Sequence, residues 1–168
     1  INVVLGLSQK QLAQFSSGLF KVANETGASF QVAADGAVEL SRQGLSAAET
    51  LKRLKDALTL TRLSGLDVGK SVSAITAAIN SFNDAALDST AIVNKLASVD
   101  AQFAVSSGDL ADSLSRVGST ARDTGVSFDE LIGFITAAKQ ITQRDGSVIG
   151  NALKTIFQRI QRPEVLDN

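Results

Sequence analysis

The chain has 168 residues, enough for one domain or a compact part of one, with 16 Lys and Arg set against 17 Asp and Glu. That near-neutral balance supplies no overall field to draw in nucleic acid or an anionic membrane surface. His, Cys, Met, Trp and Tyr are all absent, which removes thiol chemistry, histidine triads and the usual soft metal ligands.

The chain opens at Ile1 without any Met, so it is expected to be an internal fragment of a much longer protein. Its first run, INVVLGL, is too short and lacks the basic flank of a secretory signal. No window supplies the roughly 18 uninterrupted apolar residues of a transmembrane helix. From there on, apolar residues recur at spacings of three and four, the helical period, and strand-like alternation is nearly absent.

The first predicted helix covers 8–25. Ser8 and Gln11 have capping-box spacing, in which the two side chains satisfy each other's backbone N–H groups, and Leu12, Phe15, Leu19 and Val22 form the apolar stripe. Gly27 ends it, and Ser29 starts a second helix over 29–43, closed by Gly44. Ser46 and Glu49 form another capping box for 46–63, whose stripe is Leu51, Leu54 and Leu58 and whose stop is Gly65.

The stretch SGLDVGKS, residues 64–71, comes close to a phosphate-binding loop. Such a loop sets four residues between its first Gly and Gly-Lys-Ser and follows a buried strand. Here Gly65 stands one residue too near Gly69-Lys70-Ser71, and the preceding LKRLKDALTLTRL is an amphipathic helix. The reading is a helix C-cap at Gly65, an apolar latch at Leu66, an N-cap at Asp67 and a solvent-facing Lys70. The helix that follows, 67–82, carries Val68, Val72, Ile75, Ile79 and Phe82 on one face.

Asp84 and Asp88 flank the next joint; two carboxylates fall short of a calcium site and read as turn residues. A helix is predicted over 88–104 and another over 108–123, with Leu110, Leu114 and Val117 inward and Gly125 as its stop. Ser127 and Glu130 box the start of 127–143, whose stripe is Leu131, Ile135 and Ala138. The adjacent Asp129 and Glu130 suit a helix N-terminus better than an acid–base pair. The last helix, 147–161, follows Gly146-Ser-Val-Ile-Gly150, a small-residue spacing that marks a close helix crossing at Gly150. It sets Leu153, Ile156, Phe157 and Ile160 on one face, with Lys154, Arg159 and Arg162 elsewhere, before Pro163. Packing is the favoured role for this basic amphipathic helix, with a membrane surface or a partner groove as the other.

An internal repeat accompanies this layout. LAQFSSGLFKVANETGASF from Leu12 and LADSLSRVGSTARDTGVSF from Leu110 share a helix, Thr-Gly and Ser-Phe, which extends the repeat to 12–44 and 110–146. A looser third copy is traced from Val68 through Asn80-Ser81-Phe82. Phe30 and Phe128 are expected to pin the two corners inside the core. The fold class is therefore all-α: a compact array of about eight short helices in hairpins, read as a single module over 1–168. No catalytic, cofactor-binding or metal-binding residue is assigned.

The runs GLSAAETLKRLKDALTLTRLSGLD, QFAVSSGDLADSLSRVGSTARDTGVSFDELIGFITAAKQ and GSVIGNALKTIFQRIQRPEVLD resemble the core of tail tape measure proteins of tailed bacteriophages and prophages. The resemblance implies a long, mostly helical virion protein in the tail lumen or tip, assembled in the host cytoplasm, which sets tail length and leaves ahead of the DNA. It implies other copies of itself, the tail tube protein, tail-tip or baseplate proteins and tail assembly chaperones as partners, with no cofactor, no enzyme activity and no specific nucleic-acid recognition in this core. The alternative is a membrane-interacting module that helps form a DNA passage in the host envelope. A third class, a wall hydrolase, is carried elsewhere in some relatives and has no recognisable cleft motif here.

Overall fold

Each serine marked as a helix start is one. In the computed structural model, which describes residues 2–82 and 87–161, Ser8, Ser46 and Ser127 accept from the N–H of Gln11, Glu49 and Glu130, whose side chains accept in turn from the serine N–H groups. Among the described residues there are nine helices and no strand. They are α1 (Asn2–Leu5), α2 (Gln9–Thr26), α3 (Phe30–Ser41), α4 (Ala47–Ser64), α5 (Val68–Phe82), α6 (Ser89–Gln102), α7 (Ser107–Asp123), α8 (Phe128–Thr142) and α9 (Gly146–Ile160).

The eight predicted helices correspond to α2 through α9, and every end agrees within two residues. The single turn of α1 is new. It is too short to show a helical period, and it is held by Asn2, whose side chain accepts from the N–H of Leu7. Asp84, Arg162 and Pro163, singled out above, lie outside the described residues.

The helices cluster into two compact units, Ile1–Val72 and Ser73–Asn168, with the division inside α5. This is a subdivision of the stretch read from sequence as one module. In the first unit α2, α3 and α4 pack on one another. Their core holds Phe15, Leu19, Ala33, Leu40, Leu54 and Leu58, all nearly inaccessible. Gly36 on α3 makes the packing tight: a Cβ there would lie 2.8 Å from Leu54 Cδ1 and 2.7 Å from Val68 Cγ2. In the second unit α7 packs along α9, with α6 and α8 against α7 and α8 also against α9. Ile92, Leu96, Leu110, Leu114, Leu131 and Ile135 fill its interior.

The two Thr-Gly-x-Ser-Phe corners close with the same hydrogen bonds. At the first, Gly27 has φ 70°, its N–H donates to Asn24 O, and Ala28 N–H donates to Ala23 O at 3.0 Å. At the second, Gly125 has φ 80°, its N–H donates to Arg122 O, and Val126 N–H donates to Ala121 O at 3.0 Å. A left-handed residue that returns two N–H groups to the last turn is the helix ending glycine permits without steric cost.

The corner phenylalanines differ, however. Phe128 is 6% exposed, as expected, whereas Phe30 is 42% exposed and does not enter the core. The cause lies ten residues before each of them. Phe30 stacks on Phe20 of α2, with centroids 4.2 Å apart, and the pair stays at the surface. The residue ten before Phe128 is Gly118, and its missing side chain admits the end of α5: a Cβ there would lie 2.8 Å from Ser81 Oγ. Phe82 thereby meets Phe128 edge to face at 5.5 Å and covers it.

Candidate functional site

In the loop that resembles a phosphate cradle, the N–H groups of Gly65, Leu66, Lys70 and Ser71 are engaged within the joint. Gly65 takes φ 71° as the C-cap of α4, and Asp67 caps α5 by accepting from Lys70 N–H at 2.8 Å, while Ser71 N–H donates to Asp67 O. Ser71 is buried and shares a hydrogen bond with Thr61 at 2.9 Å. Lys70 is exposed and lies 3.8 Å from Asp67, and Leu66 is half-buried. This is the helix-to-helix joint read from the sequence, with the helix α4 where a phosphate-binding loop has a buried strand.

The paired acids are also occupied as caps. Glu130 closes its capping box, and the backbone and side-chain hydrogen bonds from Ser127 hold its carboxyl below the usual range. Asp129 points elsewhere and pairs with Lys95 at 3.1 Å. Asp88 caps α6 through Ala91 N–H. Among the described residues no group of three or more acidic side chains is arranged to hold a metal ion. Open clefts are present, including one of about 790 Å³ beside α1 and one of about 320 Å³ between α6 and α8, lined mainly by apolar side chains, caps and the Lys95–Asp129 pair.

A polar constellation that the sequence reading missed surrounds Asp109. This residue sits in the first turn of α7, where its N–H donates to Ser106 Oγ and its Oδ2 accepts from the same hydroxyl at 2.8 Å. Lys139 of α8 reaches Oδ2 at 3.0 Å, with both side chains largely buried. Oδ1 accepts from the N–H of Gly146 at 2.8 Å. The helix α9 makes no side-chain cap with its own N-cap residue, Asp145, so Asp109 performs that role from 37 residues away. Burial pushes the Asp109 carboxyl up, but the hydrogen bonds from Lys139, Ser106 and Gly146, with the Lys139 charge, outweigh it and hold the group below the ordinary Asp value. Its one sequence signal is Ser106-x-x-Asp109, the capping spacing with a shorter acid.

Beside this junction runs the close crossing expected at Gly150. A Cβ on Gly150 would lie 2.9 Å from both Cα and O of Ser113, and one on Gly146 would overlap the backbone of Asp109. Ser113 seals the seam by donating its hydroxyl to Gly146 O at 2.7 Å. Only one flank of α9 is thereby used. Phe157 is buried against Phe134 at 6.2 Å, while Ile156 and Ile160 stay about half exposed, on the helix that also carries the exposed Lys154 and Arg159. No helix among the described residues is long and apolar enough to cross a membrane.

The chemistry of this arrangement is that of a scaffold: acids cap, cations pair, and glycines allow helices to touch. Comparison with known proteins agrees with it. The family model described as phage-related minor tail protein matches residues 5–167. A protein named tape measure protein, from Pneumococcus phage Dp-1, is 23% identical over 163 residues, which is 97% of this chain and 14% of that protein. The chain thus spans about one-seventh of the length of the relative it matches. No solved structure matches. With the family model covering nearly the whole of this all-helical chain, the chain belongs to the phage-related minor tail protein family.

Proposed function

We propose that these residues form a folded module of a tape measure protein, a structural component that helps set tail length and assemble the tail. The observation that carries the reading is the match to a tape measure protein over 97% of the chain. The physics of a ruler supports it, since an α-helix advances about 1.5 Å per residue and so converts residue number into distance. This stretch departs from a plain ruler, because its helices turn back at capped glycine corners. Its part is a compact anchor on the ruler, in the tail lumen or at the tip. Tube, tip and chaperone proteins and other copies of the chain are its partners, no catalysis is carried here, and the protein leaves ahead of the DNA.

The test is tail length measured by electron microscopy after in-frame removal of residues 8–161 from the gene that carries them. Tails that fail to assemble, or that shorten by clearly less than about 1.5 Å per residue removed, support the reading. Shortening in full proportion contradicts the compact anchor, and tails of unchanged length and infectivity contradict the assembly role.

The flank of α9 favours a second reading, contact with the host envelope after ejection. Half-exposed Ile156 and Ile160 with Lys154 and Arg159 suit a helix lying in a membrane interface. Binding to anionic vesicles by the intact chain, weakened by Ile156→Glu, supports this role; no binding to any vesicle removes it from these residues.

A further inference from the structure

At the offset of 98 residues that aligns the two corners, the short α1 falls on the last turn of α6, since Asn2–Leu5 corresponds to residues 100–103. Three features of that turn recur. Ser8 caps α2 and donates its hydroxyl to Gln11 at 2.8 Å, and the corresponding Ser106 caps α7 and donates to Asp109 at 2.8 Å. Asn2 ties its turn to the following joint by accepting from Leu7 N–H at 2.9 Å, and the corresponding Asp100 does the same by accepting from Ser107 N–H at 2.8 Å. Leu5 lines the cleft beside α1 together with Arg42, the C-cap of α3, while the corresponding Phe103 and Gln140 line the cleft between α6 and α8. The helices differ in length, 4 residues in α1 against 14 in α6. The body of α6, with buried Ile92, Val93 and Leu96, packs on α7, where Ala111 and Leu114 are buried. On α2 the corresponding Ala13 is exposed and Ser16 half-buried.

We propose that α1 is the last turn of a longer helix, whose body precedes Ile1 in the full protein and packs on the Leu12–Ser16 face of α2 as α6 packs on α7. The occupant of that face is a segment of the same polypeptide, placed there by the register of the internal repeat. A four-residue helix is far below the length that is stable by itself, so α1 gains a physical basis as the end of a packed one. Farther along α2 the first unit closes in its own way. The Phe20 ring lies against Phe30, where the second unit sets Phe82 of α5 against Phe128, so no counterpart of the α5 end is needed there. The register makes the proposal specific: at the same offset Ile92, Val93 and Leu96 fall seven, six and three positions before Ile1. The proposal rests on the reading above that these residues are a module of a longer protein, the chain being 14% of the length of the relative it matches.

The coding sequence upstream of Ile1 is the first test. We expect apolar residues three, six and seven positions before Ile1 and no proline between them. Charged residues at those positions, or a proline among them, overturn the proposal. Thiol labelling of the full protein, read peptide by peptide by mass spectrometry, is the second test. Ala13→Cys should react about tenfold or more slowly than Ser17→Cys, because a covered thiol must wait for local opening. Ser17 is the reference because both it and its counterpart Ser115 are exposed. Deleting the ten residues before Ile1, which correspond to residues 89–98 of α6, should raise the Ala13→Cys rate to that of Ser17→Cys and leave the latter unchanged. Equal rates in the undeleted protein, or an Ala13→Cys rate that stays slow after the deletion, overturn the helix while leaving the tail assignment untouched. A mature protein with nothing before Ile1 overturns both the proposal and the longer-protein reading on which it rests.

Discussion

Glycines in this chain have opposite roles that residue type alone does not reveal. Gly146 rests on the backbone of Asp109, which has no room to give, whereas a Cβ on Gly133, in the middle of α8, would meet nothing within 4 Å. Gly146→Ala should therefore destabilise the chain by about 1–3 kcal/mol through overpacking, while Gly133→Ala should stabilise it by about 0.5–1 kcal/mol through helix propensity alone. Urea denaturation of the two variants checks both signs. The aromatic corners give a second contrast at the same scale. Phe128→Ala should cost about 3–5 kcal/mol, as expected of a buried ring, and Phe30→Ala about 1 kcal/mol, because Phe30 already faces solvent and loses mainly its stack on Phe20. Equal costs at the two corners would mean that Phe30 is covered in solution.

At the scale of the helix, the parts legible in the sequence were those set by near neighbours. Ser46 with Glu49, Ser127 with Glu130, and glycines 27, 44, 65 and 125 act within a few residues of themselves, so their pattern is local and their ends were placed within two residues. The end of α8 shows the limit, since Gln143 takes φ 54° there without the glycine that usually announces such a cap. Phe30 was misplaced because its burial depended on whether Phe or Gly stood ten residues earlier, a choice between partners that the motif itself does not contain. Asp109 was missed for the same reason: Lys139 and Gly146 lie far along the chain, and only the fold brings them to one carboxylate. That junction makes an acid-sensitive contribution to stability. Its folded value lies below the ordinary one, so its stabilisation is complete above the unfolded Asp range and is lost as pH falls through the lower, folded value. Asp109→Asn should keep an acceptor for Gly146 N–H yet strand the Lys139 charge, costing about 1–3 kcal/mol near neutral pH. The difference from the parent chain should shrink in acid; a constant difference across the range would show that the carboxylate charge is not what Asp109 contributes.

For the molecule as a whole, the two units share one building style, with serine-capped helices, left-handed glycine ends and small residues at crossings. Family membership places that style in a phage tail, and the chain spans about one-seventh of the length of the tape measure protein it matches. In the near-phosphate loop the N–H groups of Lys70 and Ser71 bind Asp67 and that of Gly65 binds Thr61 O, so these donors serve as helix caps. The central claim is that these residues keep their back-folded helices within the tail. Cryo-electron microscopy of assembled tails, with the segment located by a tag at either of its ends, tests this most directly. The account predicts density that reverses direction at the corners of Gly27 and Gly125, with α9 lying along α7. Density that runs through residues 8–161 as one continuous extended helix would contradict it.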